Sequence, residues 1–185
     1  MTLTKTPICD FGKKADPFKL LSTDNKQIEL NNIKGERGTL IMFICNHCPY
    51  VKAVIKDIVD DCRELEKIGI KSVAICSNDV KNYPEDSFEN MINFSKNNNF
   101  HFPYLIDETQ SVAKTYNAVC TPDFFGYNGK LELQYRGRIR ELKDLKPVRD
   151  GESDLFTAMK QISETGNGPK DQIPSMGCNI KWFNS

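Results

Sequence analysis

The residues best placed to do chemistry are two thiols three positions apart, in Cys45-Asn46-His47-Cys48. They follow the apolar run Leu40-Ile41-Met42-Phe43-Ile44 and precede a strongly amphipathic stretch that begins at Pro49. Where a strand hands over to a helix, unpaired N–H groups and the positive end of the helix dipole favour thiolate over thiol. The thiolate is the nucleophile. A free cysteine with pKa about 8.5 is roughly 3% ionised at pH 7, whereas one tuned to about 7 is roughly half ionised. Intrinsic nucleophilicity falls with pKa, so the gain in rate is smaller than the gain in ionised fraction.

Two plainer uses of the same spacing compete with redox chemistry. Cysteine is often a small buried hydrophobe, and C-x-x-C is also half of a zinc site, which needs a second Cys or His pair elsewhere. Cys9, Cys62, Cys76, Cys120 and Cys178 are single and far apart, and the other histidine is His101. The expectation is therefore a redox pair that carries no metal and no prosthetic group.

A chain of 185 residues fits one domain, or one domain with an appendage, and buries roughly 70% of its unfolded surface. Lys plus Arg and Asp plus Glu balance at 25 each, which gives no electrostatic reason to expect nucleic acid or an anionic membrane as partner. The first residues lack the apolar core of a secretory signal, and no apolar stretch is long enough to span a bilayer. Seven cysteines, an odd and scattered set, fit a reducing compartment, so the expected location is the cytoplasm.

The elements that must hold the two thiols are legible as α/β. Phe18 to Leu21 and Gln27 to Leu30 flank a polar turn and read as an N-terminal hairpin, and Thr39 to Ile44 as a strand buried on both faces. From Pro49 onward, Val51, Val54, Ile55, Ile58, Val59, Cys62 and Leu65 share one helical face, with Gly69 as the stop. Proline in the first turn marks the start of that helix, because its missing N–H would have no intrahelical partner. Ile70 to Cys76 and Tyr104 to Ile106 read as strands, and Asp86 to Asn97, Glu108 to Tyr116 and Ser153 to Glu164 as helices. Asp123 to Tyr127 and Lys130 to Tyr135 form a second hairpin through the two-residue turn Asn128-Gly129. An irregular Gly/Pro-rich tail follows.

Cys45 to Val51, the segment Val119 to Asp123 and the tail motif Gly177-Cys178-Asn179-Ile180-Lys181-Trp182 together resemble the thioredoxin superfamily, and within it the peroxiredoxin-like branch of AhpC/TSA-type proteins. The resemblance implies a thioredoxin-like fold, a central mixed sheet flanked by helices with an N-terminal hairpin extension. It divides the chain into a domain over residues 1–165 and a tail over 166–185 that packs on it. Cys45 then matches the exposed attacking cysteine of a thioredoxin-type site and Cys48 its resolving partner. His47 supports the thiolate, and Thr121-Pro122 matches the cis-proline segment beside the thiols. The implied partners are protein or small-molecule thiols and disulfides, with peroxides as an alternative.

In that alternative Cys48 falls where peroxiredoxins carry the peroxidatic cysteine, yet Ile41 and Cys45 stand in place of the supporting proline and threonine. The arginine that completes a peroxidatic site would be among Arg136, Arg138 and Arg140, although three within five residues read more simply as a solvated strand edge. Cys178 is a candidate third redox cysteine if the tail folds back, and otherwise a bystander in a docked apolar tail. A copper-holding module would need a distant histidine, for which His101 is the candidate, although Phe100 and Phe102 beside it suggest a packed strand end.

Overall fold

A computed structural model describes residues 2–183. Regular structure opens with β1 (Leu3–Lys5), a strand whose three residues carry no readable sequence period. β2 (Lys19–Ser22) and β3 (Gln27–Glu29) form the expected N-terminal hairpin, and β2 continues onto a central strand rather than standing apart. β4 (Gly38–Phe43) leads into α1 (Pro49–Lys67), which returns the chain to β5 (Ile70–Cys76), parallel to β4. α2 (Phe88–Asn97) then precedes β6 (Tyr104–Ile106), and α3 (Ser111–Thr115) precedes β7 (Cys120–Thr121). β8 (Asp123–Asn128), β9 (Leu133–Tyr135), a small hairpin of β10 (Leu142–Lys143) and β11 (Lys146–Pro147), α4 (Asp154–Thr165) and β12 (Met176–Asn179) complete the order.

The main sheet has seven strands in the order β3-β2-β6-β5-β4-β8-β9, with β4, β5 and β6 parallel and the flanks antiparallel. Every residue of β4 is buried because side chains alternate between two covered faces. Leu40 and Met42 pack under α1 and α4, and Ile41 and Phe43 pack with Val112, Tyr116 and Phe125 on the other face. Val51, Val54, Ile58, Val59, Cys62 and Leu65 are the buried stripe of α1, as the helical period requires. No helix among the described residues is long and apolar enough to cross a membrane.

Four expectations are corrected. The segment before α2 is not helical from Asp86, because Pro84–Asp86 makes a separate 3-10 turn and Ser87 caps the helix by accepting from the Asn90 amide. α3 is shorter than Glu108 to Tyr116, since Gln110 adopts a left-handed φ of 61° and the helix starts only after it. Asn128-Gly129 is not a two-residue turn. The Asn128 side chain accepts from the Lys130 and Glu132 amides, Leu131 takes the positive φ, and a Cβ on residue 129 would meet the Glu36 carbonyl at 2.5 Å. Gly129 is thus needed for space rather than for its torsion angles. The tail is not wholly irregular, since β12 lies between β1 and β7 in a second, three-stranded sheet.

Arg136 is also not on a solvated edge. It is 6% exposed, donates to Asp123 Oδ2 at 2.9 Å and to the Asn117 carbonyl at 2.8 Å, and lies 4.4 Å from the centre of the Phe125 ring. Arg138 and Arg140 are paired to Asp154 and Asp57 at 2.7 and 3.0 Å.

Candidate functional site

Cys48 is the N-cap of α1, with Pro49 as the first helical residue, so the helix start expected from the sequence is where the thiols lie. Cys45 follows β4 directly, and the loop between the two cysteines crosses from sheet to helix. All of it is covered: Cys45 is 1% exposed, Cys48 0% and Cys178 4%. The exposure expected of Cys45 is absent. β12 provides the cover, since its antiparallel register sets Cys178 opposite Thr121 and Asn179 opposite Cys120.

Thr121 sits between both thiols, with its hydroxyl 3.4 Å from Cys45 Sγ and its carbonyl 3.1 Å from Cys48 Sγ. Its peptide bond to Pro122 is cis. The Cys48 thiol is pulled down to about 5, first by a hydrogen bond from the Cys45 side chain and then by the Cys178 side chain and the main-chain N–H groups of Val51 and Cys178. Burial opposes this, as does the Thr121 carbonyl, which accepts from the Cys48 thiol. Cys45 is pushed up because it donates to Cys48, because it is buried and because Asp86 is near. The two shifts run in opposite directions, which favours a pair that loses its first proton from Cys48 and keeps the second on Cys45. Cys9, Cys62, Cys76, Cys120 and Cys178 are all pushed up, with burial as the largest cause, so Cys48 is the one thiolate-prone cysteine of the seven.

Three residues that the sequence pattern does not reveal complete the site. Asp86 is fully buried and accepts from the Asn46 amide at 2.8 Å, the His47 amide at 3.3 Å, His47 Nδ1 at 2.7 Å and Asn78 Nδ2 at 2.7 Å. The hydrogen bond to Asp86 raises the pKa of His47, and the Asp86 carboxyl is lowered in turn by His47 and Asn78 against its own desolvation. Tyr83 stacks on the His47 ring with centroids 5.7 Å apart, and Lys181 Nζ lies 5.6 Å over Tyr83. Forty residues separate Asp86 from the cysteine loop, so no local motif announces it.

Among the described residues, Cys45, His47 and Asp86 are a group whose ligand atoms lie within 4.8 Å of one another and so could face a metal ion, although His47 is already bonded to Asp86. His101 is not brought to the thiols. It lines a cavity of about 160 Å³ with Cys62 and Glu66, which at 1.5 Å rise per residue is roughly 20 Å down α1 from Cys48.

The cover has a sharp steric requirement at Gly177, where a Cβ would come 2.0 Å from the Thr121 carbonyl. Gly177→Ala is expected to part β12 from β7 and raise the alkylation rate of native Cys178 and Cys48 by about tenfold or more, because protection of a buried group follows the free energy of local opening. Mass-mapped labelling at fixed iodoacetamide concentration measures this, and unchanged rates would remove β12 as the cover.

Residues 11–142 match the AhpC/TSA family. Over its whole length the chain is similar to an uncharacterized conserved protein from Geobacillus kaustophilus, with 40% identity, a TM-score of 0.94 and coverage of 100% of this chain and 98% of that one. It is likewise similar to a hypothetical protein from Sinorhizobium meliloti 1021, with 32% identity, a TM-score of 0.90 and full coverage of both chains. The thioredoxin domain of a thiol-disulfide oxidoreductase from Bacteroides vulgatus shares the fold at 12% identity, with a TM-score of 0.63 over 83% of this chain and 97% of that one. The fold is thus thioredoxin-like, a mixed sheet flanked by helices. No curated protein matches the chain.

Proposed function

Because the chain belongs to the AhpC/TSA family, we propose that it is a thiol oxidoreductase that cycles between dithiol and disulfide at Cys45 and Cys48, with Cys48 as nucleophile. The observation that carries this reading is the placement of Cys48 at the N-cap of α1 with Thr121 bridging it to Cys45, its hydroxyl 3.4 Å from Cys45 Sγ and its carbonyl 3.1 Å from Cys48 Sγ. The Cys48 thiolate attacks one sulfur of a partner disulfide and expels the other as a thiolate. Cys45 then attacks the Cys48 sulfur of the mixed disulfide, its proton passing to the second expelled thiolate while the first takes a proton from solvent, so the partner leaves with two thiols and the pair is oxidised by two electrons. Thr121, Pro122 and His47 flank this exchange, and Cys178 is a third redox cysteine within reach of Cys48. Protein and small-molecule disulfides are the proposed substrates, with the reducing cytoplasm as the setting that an odd, scattered cysteine set supports.

A second reading is favoured by the same residue. If the substrate is a hydroperoxide, the Cys48 thiolate attacks the distal oxygen and becomes a sulfenic acid while an alcohol or water leaves. Cys45 or Cys178 then condenses with it to a disulfide and water. The near-complete burial of all three thiols suits a small oxidant.

Alkylation and mass mapping across a glutathione titration, with and without one equivalent of peroxide, separates the two. A Cys45–Cys48 disulfide in equilibrium with glutathione is the expected result for exchange. Rapid sulfenylation of Cys48 followed by a disulfide to Cys45 or Cys178 supports the peroxidase instead. A Cys48 that reacts like free cysteine in both arms overturns both readings.

A further inference from the structure

Asp86 belongs to neither element that carries the cysteines, yet its carboxylate is the acceptor on which their loop is built. Oδ1 takes the main-chain N–H groups of Asn46 and His47, and Oδ2 takes His47 Nδ1 and Asn78 Nδ2. The loop is fixed further by Asn46 Nδ2, which donates to the Glu85 carbonyl at 3.0 Å, and by Tyr104, whose hydroxyl donates to Asn46 Oδ1 at 3.0 Å. Held this way, an oxygen of Asp86, a ring nitrogen of His47 and Sγ of Cys45 lie within 4.8 Å of one another.

A buried carboxylate at that distance repels a second anion, and in a water-poor site the repulsion is only weakly screened. We propose that Asp86 is the positioning residue that keeps the shared proton on Cys45 and so makes Cys48 the nucleophile. The proposal rests on the reading of Cys45 and Cys48 as a redox pair. Cys178 on β12 adds to the asymmetry from the other side by donating to Cys48, whereas Cys76 and Tyr104, on β5 and β6, are themselves held neutral by burial. Lys181, from the tail, reaches over Tyr83 and bonds to the Asn179 carbonyl at 2.8 Å. His47 is the counter-charge of Asp86, and its raised pKa follows from the pair.

Alkylation of the reduced native protein at limiting iodoacetamide, mapped by mass from pH 5 to 9, reads the assignment without any substrate. Wild type is expected to label Cys48 over Cys45 by about tenfold or more, and Asp86→Asn, close in shape but uncharged, to lose about tenfold of that preference. The midpoint of His47, followed by NMR, is expected to fall in the same variant. Asp86→Glu restores the carboxylate and is expected to keep Cys48 preferred by more than about fivefold, although it is the larger steric change. If Asp86→Asn fails to fold, the glutamate variant decides: a ratio above about five supports the proposal and a lower one overturns it. A ratio in Asp86→Asn within twofold of wild type also overturns it. Loss of Cys48 preference in wild type itself would instead strike the reading of Cys48 as nucleophile on which it rests.

Discussion

Serine at position 48 is expected to reduce turnover with a model protein disulfide by on the order of a thousandfold or more, because a hydroxyl is not ionised at neutral pH and cannot form the mixed disulfide. Serine at position 45 is expected to act differently. Cys48 would still attack, and with Cys178→Ser added nothing adjacent would clear the product, so a mixed disulfide on Cys48 would accumulate to about one equivalent. A third variant, Cys45→Ala, fixes the pH dependence. The donors on Cys48 hold its thiol well below the ordinary range, so the rate of its modification in Cys45→Ala should flatten at lower pH than for free cysteine. Removing Cys45 deletes its hydrogen bond to Cys48, so the Cys48 midpoint should rise relative to wild type. Non-reducing mass analysis of the trapped complexes measures the assignment. A complex trapped on Cys45 in Cys48→Ser would reverse the two roles.

The largest loss of stability is expected from Arg136→Ala. Asp123 is 0% exposed and would be left as a buried charge without its partner, a change that typically costs about 3–5 kcal/mol. For a chain of this length that corresponds to a fall in Tm of roughly 6–20 °C. The pH dependence distinguishes charge from lost packing. Burial raises the Asp123 carboxyl to about 6 even with Arg136 beside it, so the group binds its proton more tightly folded than unfolded. Its contribution to stability is complete below the ordinary carboxylate range and is lost as pH rises towards 6. Without Arg136 the folded pKa moves higher still and that window widens upward. The deficit of the variant relative to wild type should therefore be greatest near pH 8 and shrink towards pH 5. Thermal unfolding at the two pH values tests this, and an equal deficit at both would assign the effect to the contacts with Phe125 and Asn117 instead.

Period and punctuation carried the helix under the thiols and the strand before them. Pro49 marks the start of α1, Gly69 its end with φ +83°, and the apolar run from Leu40 the strand buried on both faces. What local patterns do not contain is which distant residue meets that loop. Asp86 reaches Asn46 and His47 only because β4 and β5 are parallel neighbours, which brings the segment after β5 to the same end of the sheet as the segment after β4. Arg136 reads as one of three spaced cations, and its burial follows from β9 packing beside β8, where Asp123 faces inward. The tail strand is hidden for another reason. Met176-Gly177-Cys178-Asn179 has neither a β-branched nor an aromatic residue, and its conformation is set by main-chain pairing with β1 on one side and β7 on the other.

That pairing has a consequence for biosynthesis. Cys45 and Cys48 leave the ribosome about 130 residues before Cys178, which at 5–20 residues per second is roughly 7 to 26 s. Throughout that interval the nascent chain carries Cys45 and Cys48 without β12 beside them, and the burial seen in the finished fold is acquired only once β12 has emerged. Oxidants and chaperones therefore meet a more accessible pair of thiols than any later encounter will, and the emergence of Met176–Asn179 decides when that exposure closes.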